Sequence, residues 1–165
     1  MKKIEVIQGD ITKLEVDVIV NAANHMLLPG GGVCGAIHRA AGPKLAIECR
    51  TIGGCETGNA IITKAYNLRA KSVVHAVGPV FDDDPKIASE LLASCYLRSM
   101  ELASKSGYKS IAFPCISTGI FGYPKEPAAK VALEAVTIFP ESSLERVVFC
   151  CFEEVDFRIY NEILG

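Results

Sequence analysis

The sequence predicts an α/β fold, a three-layer α/β/α sandwich around a mixed, largely parallel sheet. Short apolar, β-branched runs recur along its 165 residues, and their near-continuous hydrophobicity is that of strands buried on both faces. Helical stretches alternate with these runs, the pattern of helices covering a sheet. Two glycine-rich loops leave predicted strands at the carboxyl end, where sheets of this kind bind ligands.

The strands fall, in order, at Ile4–Ile7, Val16–Val20, Ala60–Thr63, Ser72–Val77, Ser110–Phe113 and Arg146–Phe152. The fifth run remains strand-like as far as Ile116. Gly35 and the residues after it enter a helix, and Lys44–Arg50 is helical too. The clearest helix is Pro85–Ser106: Asp84 is a plausible N-cap, Pro85 fits the first turn, and Gly107 supplies the stop. Pro124–Ile138 reads likewise, and a last helix covers Glu154–Leu164. No linker, repeat or low-complexity segment divides the chain, so residues 1–165 are expected to form one domain.

Half of the residues are hydrophobic and 22% are charged, as in a compact globular protein. A formal net charge of −2 excludes a broad basic footprint for nucleic acid. Met1-Lys2-Lys3-Ile4-Glu5-Val6 lacks the apolar run of a signal peptide, and no stretch is apolar for long enough to cross a membrane. The seven cysteines (34, 49, 55, 95, 115, 150, 151) are odd in number and have no framework spacing. Buried reduced thiols in a cytoplasmic protein are expected.

The chemistry concentrates in two loops. After Val20 come Asn21-Ala22-Ala23-Asn24, then Gly30-Gly31-Gly32-Val33-Cys34 and a helix. Bare N–H groups at a helix N-terminus seat an anion, and the asparagines can bond hydroxyls without adding charge. Ser117-Thr118-Gly119-Ile120-Phe121-Gly122 turns from the fifth strand into another helix, with hydroxyl donors and glycines that permit close backbone approach. Two such loops facing each other could hold two linked phosphates; two ordinary surface turns are the plainer alternative. Gly30, Gly32 and Gly35 match the dinucleotide fingerprint literally, but about nine residues separate Val20 from Gly30, and Glu48 lies in a helical stretch. No Walker loop is present.

Together with Gly9-Asp10-Ile11-Thr12, Gly35-Ala36-Ile37-His38-Arg39-Ala40-Ala41-Gly42-Pro43, His75-Ala76-Val77-Gly78-Pro79 and Phe149-Cys150-Cys151-Phe152, these motifs resemble the macrodomain family over essentially the whole chain. The MacroD-type hydrolases are the branch they resemble most. The resemblance implies an ADP-ribose pocket with no cofactor and no metal. Asp10 would accept from the adenine amino group beside the Ile11 backbone, and Phe152 would flank the base. Gly31, Gly32, Val33 and Cys34 would line one side of the diphosphate, with Ser117, Thr118, Gly119, Ile120, Phe121 and Gly122 on the other. Asn24 would contact the distal ribose, and Phe121 would pack on it. Read alone, Asp10 is a helix N-cap and Phe152 a core residue.

The implied reaction is hydrolysis of ester-linked ADP-ribose, on ADP-ribosylated acidic side chains or O-acetyl-ADP-ribose, by a monomer. Asn24 and Cys34 are its candidate catalytic residues. Cys34 stands where the hydrolytic branch usually has an aspartate that positions or activates water. A thiol is a weak acceptor and, at an ordinary pKa of about 8.5, mostly neutral near pH 7. Three readings of Cys34 follow: a bystander shaping the loop while the ligand phosphate holds the water, a site that binds ADP-ribose without turning it over, or a reactive thiol. Cys34 and His38, at i and i+4, share a helical face as a metal pair would, but no third ligand is evident. His38 is expected to pack or hydrogen-bond rather than act as a base.

Overall fold

The computed structural model describes residues 2–82 and 84–165; Met1, with which the charged opening segment begins, and Asp83 lie outside them. Six strands form one sheet: β1 (Lys3–Gln8), β2 (Val18–Ala22), β3 (Ala60–Lys64), β4 (Ser72–Ala76), β5 (Ser110–Phe113) and β6 (Arg146–Cys151). Their order is β1-β6-β5-β2-β4-β3. Only the β3–β4 pairing is antiparallel. The helices are α1 (Gly32–Ala41), α2 (Pro43–Ile52), α3 (Pro85–Lys105), α4 (Lys125–Ile138) and α5 (Glu154–Leu164).

Strand alternation sorts the apolar side chains into two cores. Val18, Val20, Val74, Ile111, Phe113, Val147 and Phe149 face α3, α4 and α5, packing on Leu92, Tyr96, Ala132 and Tyr160. Ile19, Val73, Ala112 and Val148 face the other way, onto Ile37 and Ala41 of α1 and Leu45 and Cys49 of α2. With both faces covered, the inner strands β2, β4, β5 and β6 turn neither side to solvent, which is why they read as near-continuous apolar runs.

Several boundaries differ from the apolar runs for identifiable reasons. β2 starts at Val18 rather than Val16, because Asp17 is occupied in tying strands together. Its carboxylate accepts from the Lys109 and Ser110 N–H groups at 2.8 and 3.3 Å, while its carbonyl accepts from Lys71 and Ser72. β2 then continues through Asn21 and Ala22, since Asn21 pairs with His75 of β4. β5 stops at Phe113, not Ile116; Pro114 has no N–H for the ladder. β6 stops at Cys151, which leaves Phe152 outside the sheet, and α4 begins at Lys125, one residue after the expected Pro124. At α3 the Asp84 carboxylate accepts from the Ile87 N–H at 3.2 Å, and Gly107 (φ +75°) follows the end.

Candidate functional site

Four of the five parallel strands, β1, β6, β5 and β2, lie side by side and end on the same edge. Asp10 follows β1, Phe152 follows β6, residues 117–122 follow β5, and the asparagine–glycine loop follows β2. Three strand spacings, about 14 Å, separate the first from the last. The sequence-predicted residues therefore stand in a row, with an acceptor and an aromatic face at one end and two sets of N–H groups toward the other.

In the β2 loop, Asn24 is committed to its own backbone. Its Oδ1 accepts from the Leu28 N–H at 2.9 Å, and its Nδ2 donates to the Leu28 carbonyl at 2.7 Å. This reciprocal pair folds residues 24–28 into a turn that carries the chain to Gly30. α1 starts with no side-chain cap on Gly31, so among the described residues the N–H groups of Gly32, Val33 and Cys34 have no acceptor and can serve an anion. Gly32 has φ +56°, a left-handed conformation that a side chain strains, and its missing Cβ would point into open space. Cys34 is buried: its Sγ donates to the Leu28 carbonyl at 3.7 Å and accepts from Asn21 Nδ2 at 3.7 Å. The thiol proton is thus aimed at backbone rather than at the open edge.

The β5 loop is closed by two backbone bonds, Tyr123 N–H to Ser117 O at 2.9 Å and Gly122 N–H to Gly119 O at 3.0 Å. Among the described residues, the N–H groups of Thr118, Gly119, Ile120 and Phe121 have no acceptor, and small or exposed residues surround them. Such a run of unpaired amides is an anion seat. Ser117 departs from expectation: its hydroxyl is not offered to the cleft but is buried without a partner, and its φ is +67°. The reason is Gly78, which packs so closely that a Cβ there would lie 2.2 Å from Ser117 Oγ. Phe81 supports the loop from the β4 side, its N–H donating to the Phe121 carbonyl at 2.8 Å. Phe121 is half-buried, and Ile120 is fully exposed.

At the other end Asp10 is indeed an N-cap. Its Oδ1 accepts from the Thr12 hydroxyl at 2.7 Å and the Thr12 N–H at 2.9 Å, ahead of a single 3-10 turn (Ile11–Lys13) with Ile11 buried. The Thr12 hydroxyl bond is the main reason its carboxyl titrates below the usual range. Oδ2 is left without a bond among the described residues, so capping and recognition of an amine are compatible. Phe152 is 81% exposed, which overturns its reading as a core residue and leaves a bare aromatic face beside Asp10.

The site's underside carries residues that strand-by-strand reading passes over. Asn21 and His75 are fully buried and bonded to each other, Nδ2 to Nδ1, at 3.1 Å. Burial pushes the His75 imidazole down to about 3. His38 is buried beside it, ring centroids 6.5 Å apart, with Nδ1 unpartnered; burial lowers its pKa as well. The polar Asn21 inside an apolar strand was the available signal. Glu48 accepts from Lys64 N–H and Tyr66 Oη at the sheet edge, so it is not a ribose ligand of the dinucleotide kind. All seven cysteines are free, five buried and two (Cys55, Cys115) half-buried; burial pushes Cys49 and Cys150 up to about 11 and Cys95 to about 12. Among the described residues no three His, Cys, Asp or Glu side chains cluster to hold a metal, and no helix is long and apolar enough to cross a membrane.

Known proteins share this fold. The chain is 53% identical to an O-acetyl-ADP-ribose deacetylase of Klebsiella pneumoniae, over 98% of this chain and 95% of that one. It is 55% identical to the ADP-ribose glycohydrolase MACROD2 of Xenopus laevis over 99% of its own length, but spans only 40% of that protein. Among solved structures, the Oceanobacillus iheyensis macrodomain with ADP superposes with a TM-score of 0.95 at 42% identity, covering 99% of this chain and 90% of that one. The Trypanosoma brucei macrodomain in complex with ADP-ribose gives 0.93 at 44% identity, covering 98% and 69%. The Macro domain family model matches residues 20–132, from the end of β2 into α4, and the chain belongs to the macrodomain family.

Proposed function

We propose that this chain binds ADP-ribose along the carboxyl edge of its sheet and hydrolyses ester-linked ADP-ribose, carried by acidic side chains or by acetate. The observation that carries the reading is the pair of open amide sets, 32–34 at the start of α1 and 118–121 after β5, in the loops that follow two adjacent parallel strands. Such a pair suits a diphosphate. Asp10 Oδ2 and Phe152 then suit an adenine, leaving the distal ribose at the Asn24–Cys34 end. The names of the relatives, a deacetylase and a glycohydrolase, support turnover.

In this reading the amides hold the diphosphate in one pose, and water attacks the ester carbonyl, releasing the ribose hydroxyl and a carboxylic acid. Orientation and the fixed anion seat supply the rate enhancement. Asn24, already locked to Leu28, orients the distal ribose. Cys34, with its proton on the Leu28 carbonyl, shapes the loop rather than attacking. That same observation favours a second reading, a binding module without turnover. We also read residues 1–165 as one domain, monomeric and cytoplasmic, on the undivided chain and its free thiols.

Calorimetry with ADP-ribose and release of ADP-ribose from an ester-linked modified protein, with Cys34→Asp alongside, separate these readings. Binding with release by the wild type is the expected result. Binding without release, restored by Cys34→Asp, leaves the non-catalytic module; absence of binding refutes both.

A further inference from the structure

A chain of side-chain hydrogen bonds runs from the antiparallel edge of the sheet to the floor of the β2 loop. It begins at the Lys64 carbonyl, which can only accept. Thr63 Oγ1 donates to it at 3.1 Å and therefore turns lone pairs toward His75 Nε2, 2.9 Å away. His75 must carry its proton on Nε2, which leaves Nδ1 bare. The bare Nδ1 accepts from Asn21 Nδ2, and the second N–H of that amide meets Cys34 Sγ. Cys34 passes its own proton to the Leu28 carbonyl. Every group has one role consistent with its neighbours, and a backbone carbonyl in β3 sets the direction of the whole chain.

We propose that His75 is a positioning residue: its bare Nδ1 fixes the Asn21 amide so that an N–H, not the oxygen, faces the side chain at position 34. The proposal rests on reading the cleft as an ADP-ribosyl-ester site and adds how the loop that Cys34 shapes at its distal end is held. Asn21 Oδ1 shows what this arrangement costs, for it is buried with no partner. Turning the amide over would set its oxygen against the bare Nδ1 and remove the donor from Cys34. Moving the His75 proton to Nδ1 would bare Nε2 against Thr63, whose only proton would have to abandon Lys64. The other titratable groups around the ring, the Cys49 thiol 3.9 Å from Nε2 and the neutral His38, offer no charge that would reverse the order. One orphan oxygen is the smallest loss available, and it leaves a buried N–H aimed at residue 34.

Two isosteres separate the two ring nitrogens. His75→Asn keeps an amide oxygen near the Nδ1 position, whereas His75→Gln keeps a nitrogen near Nε2 and nothing at Nδ1. On an ester-linked substrate, His75→Asn is expected to keep kcat within about threefold of wild type. His75→Gln is expected to lower it at least about tenfold, with ADP-ribose affinity nearly unchanged. Equal kcat in both variants, at matched thermal stability, overturns the proposal. A second readout needs no turnover: 15N NMR of histidine-labelled protein should show His75 protonated on Nε2 and bare at Nδ1. A proton on Nδ1 overturns the proposal whatever the kinetics. If the wild type binds ADP-ribose but releases none, the hydrolase reading fails separately. The kinetic comparison is then made in the Cys34→Asp background, and if that too is inactive, or a variant does not fold, the NMR result decides.

Discussion

Ser117 stores strain that a single substitution should release. Its φ of +67° costs a non-glycine residue about 1–2 kcal/mol, and its buried, unbonded hydroxyl costs about 1–3 kcal/mol of lost hydration. Ser117→Gly removes both. Against this stand the extra backbone freedom of glycine in the unfolded chain, about 0.5–1 kcal/mol, and the packing of Cβ and Oγ against Gly78, about 1 kcal/mol. The balance is a stabilisation of about 2 kcal/mol, or roughly 4–8 °C in Tm for a domain of this size. The hydroxyl does not reach the cleft and the N–H groups of residues 118–121 are untouched. ADP-ribose affinity should therefore stay within about threefold, a free-energy change near RT. Calorimetric melting and titration calorimetry read the two quantities. A Tm at or below wild type would refute the strain argument, and a tenfold loss of affinity would show that the hydroxyl serves the ligand.

Gly32→Glu should abolish ADP-ribose binding, because it strains a left-handed position at the start of α1 and brings a carboxylate to the amides; near-normal affinity by calorimetry would place the phosphates elsewhere. Phe152→Ala should leave Tm within about 1 °C, since the ring is exposed, yet weaken ADP-ribose roughly tenfold by removing a stacking face. Acid should destabilise the fold through His75. Its folded pKa lies near 3 and its unfolded value near 6.5, so the unfolded chain binds the extra proton between those limits. Stability is complete above pH 6.5 and falls as pH drops toward 3, by about 2–3 kcal/mol at pH 4.5. Urea melts across that range should show the slope in wild type and a flatter one in His75→Asn.

The layers of the fold were legible because strands buried on both faces advertise themselves. Ile19 and Val20, though they face opposite cores, are equally apolar. Boundaries were less legible where one residue serves two strands: nothing in Val16-Asp17-Val18 reveals that Asp17 gives its carboxylate to residues 109 and 110 and its carbonyl to 71 and 72. At the candidate site, the glycine runs and the asparagines singled out these two loops because free amides and left-handed turns demand those residue types. Two things stayed hidden. Phe152 looks like the last residue of an apolar strand, and only the end of the ladder at Cys151 turns it outward. The direction of the Asn21–His75 bonds depends on Thr63 and Lys64, some forty residues away in sequence, and no local pattern encodes it.

The sheet order has a consequence for how the molecule assembles. β1 pairs only with β6, Lys3 against Arg146, so the first strand made waits for the last before any ladder bond can form on it. Closing a loop that long slows folding relative to local pairing. β2, β4 and β5 can meet earlier, bringing the two amide sets together, while Asp10 and Phe152 arrive only when β6 slides between β1 and β5. On the proposed function, a nascent chain stopped before residue 146 would therefore own the phosphate end of the cleft and lack the base end. Recognition of the complete nucleotide would then wait for β6.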